Sequence, residues 1–299
     1  MSHQDEVRQI METLRGPGST IKSIRTADTY ESIIAHASQW LAEESAAGRE
    51  KGRISSMMPD QAIRYLESRK RDLGQKALDQ QRNALQCMMR FATNQLSEKE
   101  RLPFLASEKR KPSVKPRPGA YTPIQIEMVR EAQKEKNAVA TAIASHCGLL
   151  AYELFTLRPK SEQPPTRKAY HCDRFLHMHG EAYTVVDNAG VCREIVLPTE
   201  LAEHLERLRL STPKTITDRG IVYQRHYDIA GGAQWSMSFR QASKRVLGWS
   251  RGTVGLRYTY AQERLLTLQL SGLHYRVALD VVAEEMGNHS GSATLRYLR

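Results

Sequence analysis

Cysteine is scarce in this 299-residue chain: Cys87, Cys147, Cys172 and Cys192 are scattered, and none forms a Cys-x-x-Cys pair. A disulfide scaffold is therefore excluded, and a reduced, cytoplasmic setting is expected. Long apolar runs are missing too. The best of them, ALQCMMRFA, is broken by Gln86 and Arg90 and falls short of the roughly 18 apolar residues of a membrane span. The opening MSHQDEVRQIMETLRG has neither the apolar centre nor the cleavage site of a signal peptide, so no secretion is expected. Internal repeats and low-complexity tracts are absent. Acid is in short supply: 33 Asp and Glu stand against 44 Lys and Arg, a net charge of +11. Such an excess favours a polyanionic partner over a membrane.

What is present is ordinary globular chemistry, 40% hydrophobic and 26% charged, in a length that suggests two domains. Residues 1–21 read as a polar tail or a short helix closed by Gly16-Pro17-Gly18. Helical spacing follows: Tyr30, Ile33, Ile34, Ala37, Trp40 and Leu41 behind an Asp28 N-cap, a second helix opening at Met58-Pro59-Asp60, and a third over 77–92 with Leu78, Leu85, Met88 and Met89. The pairs Met57-Met58 and Met88-Met89 read as core filler. Residues 22–106 are thus a small helical domain. Residues 107–120 hold Pro112, Pro116 and Pro118 beside Lys109, Arg110, Lys111, Lys115 and Arg117. Such a segment is an extended linker, either a solvated hinge or a basic strap along phosphates.

Residues 121–299 read as α+β, mainly helical. Thr122-Pro123 with Glu127 suggests a capping box before a helix to 135. A helix over 138–147 and a helical stretch over 152–157 follow. Short strands are expected at 175–178, 182–186 and 193–197, the last two joined by the turn Asp187-Asn188-Ala189-Gly190. Helices return over 200–210, 236–247, 256–270 and 277–286.

Four boxes in this half resemble those of the tyrosine recombinases, the phage integrase family. Val254-Gly255-Leu256-Arg257-Tyr258-Thr259-Tyr260-Ala261 is similar to the family's His-x-x-Arg box. Glu285-Met286-Gly287-Asn288-His289 and the Tyr297 beyond it resemble the Leu-Gly-His box and its terminal tyrosine. Gly148-Leu149-Leu150-Ala151-Tyr152-Glu153-Leu154 resembles Gly-Leu-Arg-x-x-Glu-Leu, and the hairpin ending Arg193-Glu194-Ile195 resembles the one bearing the family's lysine. The order and spacing agree, and the likeness spans about residues 22–299. It implies a helical core-binding domain, a basic strap, a mixed catalytic domain and double-stranded DNA as partner, with no cofactor and no metal.

The resemblance also implies chemistry. The family's tyrosine attacks a DNA phosphate to give a 3′-phosphotyrosine. Two arginines stabilise the phosphorane, a lysine protonates the leaving oxygen and a histidine assists. Here Leu150 stands where the first arginine belongs, Asn188 where the lysine belongs, Val254 at one histidine and Asn288 at the other, with His289 adjacent. Arg257, Tyr297 and His289 remain as candidate catalytic residues. Arg257 reads as a phosphate contact or as a partner of Glu153 or a helix C-terminus; Tyr297 reads as a nucleophile or as an aromatic anchor. The expectation is a DNA-binding homologue impaired in cleavage, an accessory or regulator for a mobile element. The alternatives are a working recombinase in which His289, Lys160 or Arg158 compensates, and a transcriptional or architectural protein. Only Leu298 and Arg299 follow Tyr297, so assembly by exchange of a terminal segment is not expected, and pairing with an active relative stays open.

Candidate DNA contacts are Lys76, Arg82 and Arg90 of the first domain, the linker cations, and Arg257; these first-domain cations, with Arg64, Arg69, Lys70 and Arg71, read either as phosphate contacts or as solvated faces. His171-Cys172, His177 and His179 invite a zinc reading, but the alternation over 175–179 suits a strand better.

Overall fold

A computed structural model of the chain describes residues 3–15, 21, 24–48, 52–109, 119–166, 170–288 and 290–298. The chain separates into two compact units, Met1–Lys115 and Pro116–Arg299. Among the described residues no helix is long and apolar enough to cross a membrane.

Unit 1 is helical: α1 (His3–Arg15), α2 (Ile24–Ala46), α3 (Pro59–Ser68) and α4 (Gln75–Phe91). Of the two readings of residues 1–21, a polar tail or a short helix, the structure has a helix over His3–Arg15 and the tail is corrected. Val7, Ile10, Met11 and Leu14 recur at three- and four-residue steps, and all four are buried on α1 in the core of this unit. Buried Glu6 beside them is paired with Arg53 at 3.2 Å. The α2 helix starts ahead of Asp28, which is not its N-cap. The stripe Leu78, Leu85, Met88 and Met89 is buried as its spacing demands, and Met57 joins it, whereas Met58 is exposed.

Unit 2 opens with α5 (Pro123–Glu131) and α6 (Glu135–Cys147). Its capping box uses Gln125 rather than Glu127: Thr122 N–H donates to Gln125 Oε1 at 3.0 Å, and Gln125 N–H to Thr122 Oγ1 at 3.3 Å. α6 ends at Gly148, whose φ of +59° is left-handed. A Cβ there would stand 2.7 Å from the Tyr260 ring, so glycine is required on two counts. The stretch over 152–157 is a short 3₁₀ turn, Glu153–Phe155.

A three-stranded antiparallel sheet follows, β1 (Arg158–Pro159), β2 (Glu181–Val186) and β3 (Cys192–Leu197), with Tyr183 opposite Ile195 and Val185 opposite Arg193. The strand expected at 175–178 does not form. Phe175 and His177 take φ of +60° and +61°, a turn conformation that no strand tolerates.

Beyond α7 (Thr199–Arg207) runs a second hairpin that the sequence did not announce, β4 (Arg209–Asp218) and β5 (Ile221–Tyr227). Arg219 and Gly220 turn it with φ of +50° and +77°. Two positive φ values are what a tight hairpin turn asks for. The unit closes with α8 (Gly232–Leu247), α9 (Val254–Leu270), α10 (Tyr275–Glu285), α11 (Gly291–Thr294) and a 3₁₀ turn, Leu295–Tyr297. Trp235, Phe239, Tyr121 and Tyr227 anchor one core. A second forms between α9 and α10 around Leu268, Val282 and Met286, and Tyr297 belongs to it.

Candidate active site around Arg257 and Tyr297

The site is assembled at helix ends. Thr259 fixes the start of α9 by donating to the Tyr121 carbonyl at 2.7 Å and accepting from the Tyr121 N–H at 2.9 Å. Two residues earlier, Arg257 turns inward and is 2% exposed. Its Nη1 donates to the Gly148 carbonyl and its Nη2 to the Met286 carbonyl at 3.0 Å. Both carbonyls close a helix, α6 and α10, where orphan acceptors and the negative dipole end attract a cation. Nε donates to the Tyr297 hydroxyl at 3.4 Å.

Tyr297 is itself buried, with the Tyr258 ring edge-on at 5.1 Å. Gln262 Nε2 holds its backbone carbonyl at 2.9 Å. A second guanidinium reaches the phenol: Arg296 Nη2 donates to the hydroxyl at 2.9 Å, and its carbon lies 4.8 Å from the ring centre.

Behind this pair lies a buried ionic network. Glu153 Oε2 accepts from the Leu150 N–H at 2.6 Å and from Arg193 Nη2 at 2.8 Å, and Arg257 Nη1 stands 3.9 Å away. Arg193 Nη1 continues to the Glu285 carbonyl at 3.2 Å. The Glu285 carboxylate belongs to Arg264, bound through Nε and Nη2 at 2.9–3.1 Å, and also accepts from the Tyr260 hydroxyl at 2.8 Å. Burial, then Glu285, holds that phenol well above its ordinary range. The same carboxylate catches Phe175 N–H at 2.8 Å, while Arg264 Nη1 takes the Leu176 carbonyl at 2.8 Å. Those bonds explain the turn where a strand was expected.

No family model matches the sequence, and no curated relative does. Solved structures do. The chain matches the XerH site-specific recombinase bound to palindromic difH substrate with a TM-score of 0.58 and 14% identity, over 91% of this chain and 76% of that one. It matches the Tn1549 transposon integrase in complex with circular intermediate DNA at 0.59 and 16%, over 100% and 95%. A lambda integrase dimer bound to a COC′ core site gives 0.55 and 16%, over 99% and 94%. The chain has the tyrosine recombinase fold.

The residues at the box positions that the sequence reading marks as substituted lie as follows. Leu150 is half-buried, and its N–H is spent on Glu153. Asn188 is exposed on the β2–β3 turn, where its Oδ1 accepts from the Tyr223 hydroxyl at 3.3 Å. Nearby, the Tyr152 phenol is pushed up to about 12 by burial and then by Glu153. Val254 is exposed at the first position of α9, and Asn288 Nδ2 donates to Thr294 Oγ1 at 2.9 Å. His289 lies outside the described residues. Lys160 is paired with Glu194 at 2.9 Å, and Arg158 lies near His226, whose imidazole is held down by burial and then by this guanidinium.

Of the residues proposed to face DNA, Arg110, Lys111, Lys115 and Arg117 lie outside the described residues. Arg90 donates to the Glu100 carbonyl, and Lys109 to the Asp72 carbonyl at 2.6 Å. Arg82 is half-buried, 3.7 Å from Asp79, and Lys76 is exposed nearly two turns before Arg82 on α4. The donor atoms of His171, Cys172 and Asp173 lie within 4.8 Å of one another, with His171 Nδ1 at 3.3 Å from the Asp173 carboxylate. His177 and His179 are not part of that group.

Sequence reasoning missed Arg296 and the pairing of Arg193 with Glu153. An arginine directly before the terminal tyrosine was the available signal for the first.

Proposed function

We propose that the chain is a double-stranded DNA-binding protein on the tyrosine recombinase fold. It is impaired in strand cleavage and serves as an accessory or regulator in site-specific recombination of a mobile element. One observation carries the reading: Leu150 occupies the position of the first phosphate-clamping arginine, and a leucine side chain donates no hydrogen bond. Asn188, Val254 and Asn288 fill the other substituted positions. Losing one preorganised donor costs about 10²–10³ in rate and losing a general acid about 10²–10⁴, in a non-additive way. The fold supports DNA as the partner, and an intact recombinase bound beside this chain supplies the cleavage it lacks.

A duplex nicked next to the scissile phosphate, drawn from the flanks of the encoding element, tests this. The expected result is salt-sensitive binding without a denaturation-resistant adduct. Robust covalent trapping that disappears in Tyr297→Phe overturns it. That outcome is the second reading, active cleavage by Tyr297. It is favoured by the two guanidiniums on the Tyr297 hydroxyl.

A further inference from the structure

We propose that Arg296 is a phosphodiester contact, an exposed guanidinium beside Tyr297 that takes over the anion contact the Leu150 position has lost. The inference rests on the DNA-binding reading and deepens it.

Arg257 is poorly placed to meet a phosphate in this conformation. It is 2% exposed, and all three of its nitrogens are engaged, by the carbonyls of Gly148 and Met286 and by the Tyr297 hydroxyl. A phosphate would have to displace the acceptors that close α6 and α10. Arg257 therefore works as a post between helix ends.

Arg296 is the opposite case. The residue is exposed and sits in the 3₁₀ turn that also carries Tyr297. One N–H goes to the Tyr297 hydroxyl at 2.9 Å. A guanidinium has five N–H donors in a fixed fork, so two parallel donors remain for the non-bridging oxygens of a phosphodiester. Among the described residues no carboxylate pairs with it. The fork is also aimed, since its carbon lies 4.8 Å from the Tyr297 ring centre and that ring is braced by Tyr258.

Local charge points the same way. Arg193, Arg257 and Arg296 connect to Glu153 and Tyr297 through three hydrogen bonds and the 3.9 Å ion pair of Arg257 with Glu153, and Glu153 is the one carboxylate among these five residues. The nearby Glu285 carboxylate is consumed by Arg264. Such an excess of positive charge, partly desolvated, is relieved by an anion.

The test is fluorescence anisotropy of the full chain with a mixed-sequence duplex across a salt series, for the parent, Arg296→Ala and Arg296→Lys. The parent is expected to bind with a steep salt dependence. Arg296→Ala is expected to lower the slope of log K against log salt by about 0.9, the contribution of one phosphate contact. Arg296→Lys is expected to keep the slope, since the charge remains, while affinity falls with the loss of the fork. A parent that binds duplex and an alanine variant with an unchanged slope overturn the proposal and leave the DNA-binding reading standing. A parent that fails to bind duplex at any salt overturns both.

Discussion

Gly287 and Arg193 share one volume: a Cβ at Gly287 would lie 2.6 Å from Arg193 Nε and 2.9 Å from its Cδ. The glycine also has φ of +70°, directly after α10. Its lack of a side chain lets the guanidinium pass to Glu153 and to the end of α10, so a feature of the Leu-Gly-His-like box has a structural cause. Gly287→Ala should cost about 1–3 kcal/mol from strained backbone alone, with displacement of Arg193 added. Urea unfolding reads it; an unchanged midpoint would show that Arg193 is held elsewhere.

Glu153 is the keystone carboxylate for two buried guanidiniums, Arg193 at 2.8 Å and Arg257 at 3.9 Å. Removing it leaves both uncompensated. Breaking a buried pair by deleting one partner costs about 3–5 kcal/mol, because the remaining charge stays desolvated. Glu153→Ala should therefore lower the unfolding midpoint sharply. The exposed-helix variant Glu12→Ala, which removes a pair with Arg8 at the surface, should stay within about 1 kcal/mol of the parent. Equal effects in the two variants would refute the keystone role.

The contrast between what was legible and what was not has physical roots. Helices such as α4 were readable because one face, Leu78, Leu85, Met88 and Met89, pays a hydrophobic penalty if exposed. The β2–β3 hairpin was readable from its alternation and its Asp187–Gly190 turn. The β4–β5 hairpin escaped because it buries little on either face, and Pro213 sits in its irregular stretch between Arg209 and Lys214. The false strand at 175–178 shows the converse. Local alternation there is overruled by Glu285 and Arg264, about a hundred residues away, which seize the backbone of Phe175 and Leu176. In the site, the boxes gave the positions of Arg257 and Tyr297. Their environment depends on long-range neighbours, Gly148, Met286 and Arg193, that no local spacing encodes.

Alkaline pH should reveal the burial of the Tyr152 phenol. Burial, then the Glu153 carboxylate, pushes the Tyr152 phenol up to about 12, against 10 for a free tyrosine. Burial also raises Tyr183 and Tyr227, with Glu206 adding to it. A phenol whose folded value lies above its unfolded value keeps its proton longer in the native state. Its contribution is fully present below pH 10 and is lost as pH rises from 10 towards 12. Absorbance titration should show fewer phenols ionising near the free value in the native protein than in urea. Tyr152→Phe should flatten the decline in stability across that window; an unaltered decline would place the phenol in solvent.

Placing the family's groups at two of the box positions tests the proposal that cleavage is impaired. Leu150 is adjacent to the Gly148–Arg257 contact, and Asn188 caps the hairpin within reach of Tyr152. Leu150→Arg returns a cation to the first box, and Asn188→Lys returns a proton donor to the turn, at the loss of the Tyr223 bond. With a nicked duplex, the combined variant should raise covalent trapping by about 10²-fold or more over the parent, the scale of one regained donor. Adding Tyr297→Phe should erase the gain if, as the resemblance implies, the phenol oxygen joins DNA. If trapping stays at background while duplex binding is intact, the two substitutions are not what silences the site. The cause then moves to Arg257, whose donors would have to leave Gly148 and Met286 before any phosphate could be clamped.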